Sequence, residues 1–132
     1  MERPQEKPFD ICERSFRFSL DVVRFCKALE SSRSDVYRIL GRQLLRAGTS
    51  IGANAEEAQA GQSKPDFISK NNIALKEARE THYWLRILCA EQAGPDDHAA
   101  RLCNEADELK RIFGAIVSNA RRACGKPEES VR

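Results

Sequence analysis

Proline stands only at positions 4, 8, 65, 95 and 127 of this 132-residue chain. Proline removes a backbone donor and clashes with the preceding turn. Its absence leaves residues 9–64, 66–94 and 96–126 without a covalent obstacle to helix formation. Inside these stretches apolar residues recur every three or four positions, the period of a helix with one buried face.

Four helices are predicted. Helix one runs from about Ile11 to Glu30, opened by Asp10 with Glu13 three residues on, a capping-box spacing. Ile11, Phe18, Val22, Phe25, Cys26 and Leu29 form its core stripe, and Phe16, Leu20 and Val23 form a second stripe beside it. After the polar turn at 31–34, Ser32 and Asp35 are placed to cap helix two, from about Arg33 to Ala60. Gly61 suits a left-handed position just past its end. Ser63 and Asp66 repeat the cap spacing around Pro65, and helix three runs from about Pro65 to Ala93 on Phe67, Ala74, Ala78, Leu85 and Leu88. Gly94-Pro95 stops it, and Pro95, Asp96 and Asp97 suit the first turn of helix four. That helix carries Ala99, Leu102, Ala106, Leu109, Phe113, Ile116 and Ala120, and from Gly125 a polar tail is expected to fray.

Short turns set sequential helices antiparallel. The expected fold is all-α: an up-down-up-down four-helix bundle, one domain over residues 1–132 with an ordered core from about 9 to 124. Hydrophobic residues at 41% supply a core, while 32% charged and 7% aromatic residues suit a helical bundle better than a β-sandwich. A net charge of +2 excludes a strongly basic nucleic-acid scavenger but permits one basic face. No apolar run is long enough to span a membrane, and no apolar segment follows Met1–Lys7 as in a signal peptide. Five cysteines without framework spacing suit a reducing compartment, so a cytoplasmic location is expected.

Helix two has more faces than a lone bundle needs. Leu40, Leu44, Ala47, Ile51, Ala55 and Ala58 make its core face, and Gly41, Leu45, Gly48 and Gly52 share the adjacent stripe. Each interior glycine costs about 1 kcal/mol of helix stability against alanine. Either the helix kinks there, or another helix approaches too closely for a side chain; the shared angular position favours close approach at an interface. Gln43, Ser50, Asn54 and Glu57 line a polar edge, read either as a solvated flank or as a contact fixing register. On helix three, Ile73, Trp84 and Ile87 fall beside the core face, and such apolar surplus predicts a subunit interface unless the core stripe is simply wide. Arg38, Arg42 and Arg46 recur every four residues opposite the core of helix two. They are the candidate nucleic-acid contacts, since guanidinium groups take phosphate bidentately. Arg121, Arg122 and Lys126 stand to add to them, and the competing reading is a solvated face paired with nearby acids.

The stretch from Gln43 to Glu57 resembles the bacterial 23S rRNA intervening-sequence proteins. Gln43, Arg46, Ala47, Ser50, Ile51, Asn54 and Glu56 stand in that family's hallmark places, and Ser63, Phe67, Leu75 and Glu77 also match. The resemblance extends from about Phe9 to Cys124. Two features depart from it: Glu57, where the family often has glycine, and Ile73-Ala74, where it has a Gly-Ser pair. The resemblance implies a four-helix bundle that assembles as a ring-like homopentamer. It further implies kinship with accessory proteins of diversity-generating retroelements, which are associated with nucleic acid and a reverse transcriptase. The expected partners are thus copies of the chain itself, RNA or DNA held by its backbone, and a protein encoded nearby. The family name brings no settled activity.

Enzymatic chemistry is poorly supported. Glu56, Glu57, Glu77 and Glu80 resemble part of the magnesium-binding set of bundle-type nucleotide hydrolases, but Ala60 and Glu80 leave that pattern incomplete. His82 and His98 do not follow a glutamate at the di-iron spacing. Cys26, Cys89, Cys103 and Cys124 lie on or beside apolar stripes without a Cys-x-x-Cys. The expectation is a non-enzymatic protein with no metal and no cofactor.

Overall fold

The computed structural model describes residues 10–61 and 63–131, and side chains as far as Gly125. Four helices follow in order: α1 (Ile11–Glu30), α2 (Asp35–Ala60), α3 (Lys64–Ala90) and α4 (His98–Val131). Consecutive helices pack on one another and α1 also meets α4, so the four close into the expected antiparallel bundle. No strand occurs among the described residues.

Local chemistry explains the helix ends. The Asp10 carboxylate accepts from the Cys12 and Glu13 amides, and the Ser63 hydroxyl accepts from Asp66 N–H. Both caps stand where predicted. The cap of α2 does not: Ser34, not Ser32, accepts from Tyr37 N–H, while the Ser32 hydroxyl accepts from Ser34 N–H and tightens the turn before it. Gly61 is extended (φ −64°, ψ 153°) rather than left-handed, because the chain leads straight into the extended Ser63 cap.

The α3–α4 connection differs most. α3 stops at Ala90, three residues before the predicted end, in a paired-hydrogen-bond cap with Gln92 in the left-handed position (φ 56°). There Gln92 N–H donates to the Cys89 carbonyl and Ala93 N–H to that of Leu88, both at 3.0 Å. The cap turns Ala93 into the core, where it is 3% exposed, and that burial stabilises an ending for which glutamine gives no signal. Gly94 follows at φ 80°, and a β-carbon there would lie 2.5 Å from the Phe25 ring. α4 starts at His98, after Pro95–Asp97, and is assigned through Gly125 to Val131. Glycine also accepts the right-handed helical conformation, so it ends a helix only where a cap forms.

Phe25, Leu29, Leu44, Ile51, Leu85, Leu88, Leu102, Leu109 and Phe113 are fully buried at the centre. Leu40 and Ile116 are only half-buried, and Val117 occupies the inward position near the end of α4. The α1–α4 seam is the sparsest, and polar side chains bridge it. Arg14 forks onto Glu105 at 2.7 and 2.8 Å and reaches Glu108 at 2.6 Å. His98 stands 2.8 Å from Asp21 and edge-on to Phe25.

Candidate nucleic-acid interface

Arg38, Arg42 and Arg46 project from α2 one turn apart, but each is already engaged. Arg38 donates to the Ser32 carbonyl and pairs with Asp35. Arg42 forks onto Glu30 of α1 at 2.8 and 3.0 Å. Arg46 reaches across to α3, to Glu77 at 3.4 Å and to Glu80. The row therefore ties α2 to its neighbours on both sides rather than standing as free cations. Glu30 is held below the usual carboxylate range by its hydrogen bond from Arg42. Glu80 is lowered first by the Trp84 indole N–H and then by Arg46. Arg121 and Arg122 are exposed, Arg122 bonding back to Ser118 and Asn119. The Lys126 side chain lies outside the described residues.

Gly41, Gly48 and Gly52 are buried by a close-packed helix, and that helix is α1 of the same chain. A β-carbon at Gly41 would meet Leu29 at 3.1 Å, at Gly48 Val22 at 3.1 Å, and at Gly52 Ser15 at 3.3 Å. Their assignment to a subunit interface is corrected accordingly: the stripe is filled within the bundle. On the polar edge of α2 two residues bond within their own helix: Ser50 donates to the Arg46 carbonyl at 2.7 Å and Asn54 to the Ser50 carbonyl at 2.8 Å.

Ile73, Trp84 and Ile87 are half-buried, and their spacing puts them on the face of α3 that carries Glu77 and Glu80, the partners of Arg46 of α2. Trp84 packs on the chain's own core, donates to Glu80 at 3.0 Å, and stacks edge-to-face with Tyr83. The largest apolar exposure lies elsewhere. Phe16, Leu20 and Val23 of α1 are 54%, 39% and 36% exposed, and Leu45 of α2 lines a small groove with Val23. Val36 and Ile39, at the start of α2, are 61% and 56% exposed.

The carboxylates of the hydrolase alternative do not converge. Glu56 lies near Cys12 and Phe16, on the α1 side of α2, whereas Glu77 and Glu80 are engaged with Arg46 on the other side. Among the described residues no three histidine, cysteine or acidic side chains group as a metal would require. All five cysteines are free thiols. The Cys26 thiol donates to the Gly41 carbonyl at 3.2 Å, and burial pushes its pKa up to about 12, which holds it in the unreactive protonated form.

One cationic surface escapes a helix-by-helix reading. Arg79 and Arg86 of α3 and Lys110 and Arg111 of α4 line a common cleft of about 530 Å³, with His82 and Tyr83 between them. On each helix they read as ordinary surface charges; only the α3–α4 register brings them together.

No helix among the described residues is long and apolar enough to cross a membrane. The family model for the 23S rRNA-intervening sequence protein matches residues 7–115. A crystal structure from Bacteroides thetaiotaomicron VPI-5482, described as a protein with unknown function from the S23 ribosomal protein family, is 37% identical to this chain. It covers 82% of this chain and 98% of its own, with a TM-score of 0.73. No curated protein matches.

Proposed function

The chain belongs to the 23S rRNA-intervening sequence protein family, and on that premise we propose that it is a self-assembling, non-enzymatic scaffold that holds nucleic-acid backbone by charge, without reading bases. The observation that carries the self-assembly in this reading is the second stripe of α1. Phe16, Leu20 and Val23 recur at the spacing of one helix face, yet a third or more of each remains exposed after the bundle has closed. A bundle of four has no internal use for that face, and grouped exposed apolar residues mark interaction surfaces.

A second, different patch at Val36 and Ile39 supports head-to-tail association. Contacts between unlike patches build a ring where the rotation between subunits closes and a filament where it does not, whereas a two-fold dimer uses one patch twice. Five subunits is the number that the resemblance implies. Repetition of a weak cationic surface around such a ring raises apparent affinity without any new contact. The proposed setting is the cytoplasm, where free thiols persist.

The second reading is a scaffold for a different protein, with the kinship to retroelement accessory proteins pointing to a reverse transcriptase. The same exposed apolar face favours it. Sedimentation of the pure chain separates the two: a mass several times 14.9 kDa supports self-assembly. A monomer at all concentrations overturns self-assembly and leaves α1 for a foreign partner.

A further inference from the structure

The cleft between α3 and α4 is a concentrated cationic surface in which two of four cations, Arg79 and Arg86, stand without an acidic partner among the described residues. Arg79 and Arg86 stand two turns apart on α3, about 10 Å along the axis. Lys110 and Arg111 face them from α4. Among the described residues no carboxylate lines the cleft. Asp107 stands beside it, 3.1 Å from Lys110 and 2.7 Å from Arg111, so one negative charge is shared between two cations. Among the described residues neither Arg79 nor Arg86 has an acidic partner within salt-bridge distance, in contrast to all three arginines of α2. The Tyr83 ring beside them is 53% exposed and held edge-to-face by Trp84, with centroids 5.4 Å apart.

We infer that this cleft seats the backbone of a single-stranded nucleic acid, with Arg79, Arg86, Lys110 and Arg111 on its phosphates and Tyr83 presenting its face to an unpaired base. A positive groove beside an exposed aromatic ring is the general means of holding a strand without sequence preference. An unpaired guanidinium takes phosphate without first giving up a carboxylate, which favours this cleft over the α2 row. The position also suits an assembly. In a ring of four helices the outer α3–α4 groove lies opposite the outer α1–α2 groove, so association through Phe16, Leu20 and Val23 leaves the cleft open.

The inference rests on the nucleic-acid reading above and moves its site from α2 to the opposite side of the bundle. The test is fluorescence anisotropy of the full chain with labelled oligothymidylate and oligouridylate over a range of salt. Binding through about three phosphates gives a log–log salt slope near −2 for a single strand. The R79Q/R86Q variant should weaken binding at least tenfold and flatten the slope by about 1.4, which is two contacts. Gly114→Glu tests the same cleft by addition: Gly114 lines it, and the nearest atom to an added β-carbon is Leu75 Cδ1 at 4.0 Å, so there is room for the new acid. It should weaken binding comparably, with circular dichroism showing the helices intact. Tyr83→Ala should weaken binding roughly tenfold with the slope unchanged, because stacking releases no counterions.

Wild-type affinity in both cleft variants overturns the inference. If R38Q/R42Q alone then loses binding, the nucleic-acid reading stands and its site is α2. Absence of binding by the wild-type chain at every salt concentration overturns both. A duplex bound as tightly as the strand, with Tyr83→Ala silent, overturns the single-strand assignment.

Discussion

Gly48 of α2 and Val22 of α1 are set so close that a β-carbon on the glycine would lie 3.1 Å from both valine methyl groups. This contact explains why a helix retains glycines on one stripe despite their cost of about 1 kcal/mol each. Gly48→Leu should destabilise the bundle by about 1–3 kcal/mol through overpacking. Shrinking the partner should compensate: Val22→Ala with Gly48→Ala should be more stable than the sum of the single changes, since the two side chains share one space. Urea midpoints measure both. A Gly48→Leu variant with a wild-type midpoint would mean that α1 and α2 do not meet there.

Thr81 of α3 is fully buried, and its hydroxyl finds no hydrogen-bond partner among the described residues. A buried hydroxyl without a partner costs about 1–3 kcal/mol. Valine keeps the branched shape and removes the polar atom. Thr81→Val should therefore stabilise the chain by about 1 kcal/mol. A fall in the midpoint would show that the hydroxyl is bonded after all.

Leu20 is 39% exposed, so its replacement by aspartate has little to disturb inside the bundle. Surface substitutions of this kind stay within about 0.5 kcal/mol. Leu20→Asp should leave helicity nearly unchanged while reducing the sedimenting mass to one chain, and the midpoint should fall by what the association contributed. Trp84→Ala should do the reverse first: it removes core packing and the 3.0 Å hydrogen bond to Glu80, so stability falls before any association is lost. Retention of the assembled mass by Leu20→Asp would remove α1 as the contact face.

The helices and two of their caps were readable because their signals are local. Asp10 and Ser63 each cap an amide within three residues, and the apolar period lies within each helix. What failed depended on distance. The glycine stripe announced a close neighbour but not which one, and that neighbour is α1 of the same chain. The spacing of Arg38, Arg42 and Arg46 was plain, whereas the acids that occupy Arg42 and Arg46 lie 12, 31 and 34 residues away. Arg79, Arg86, Lys110 and Arg111 share a cleft through the packing of α4 back along α3, after a turn in which Ala93 is buried. Gln92 at the left-handed position gives no warning of that turn.

His82 reports on the α3–α4 cleft directly. Arg86 of α3 and Asp107, Lys110 and Arg111 of α4 all face it. Burial, then Lys110, then Arg86 and Arg111 hold its pKa below the ordinary histidine value, and Asp107 alone works to raise it. Because the folded value lies below the unfolded one, the unfolded chain takes up this proton first on acidification. The contribution of neutral His82 to stability is complete above about pH 6.5 and is lost as pH falls through the folded value. The wild-type chain should therefore lose more stability between neutral and mildly acidic pH than His82→Gln does. Asp107→Asn should push the His82 titration lower still, and Lys110→Gln should bring it back up. A bound strand should raise it too, since phosphate favours the imidazolium. NMR titration of the ring protons follows every step, and a His82 that titrates at or above the ordinary value would show that the cleft is not the cationic environment its geometry describes.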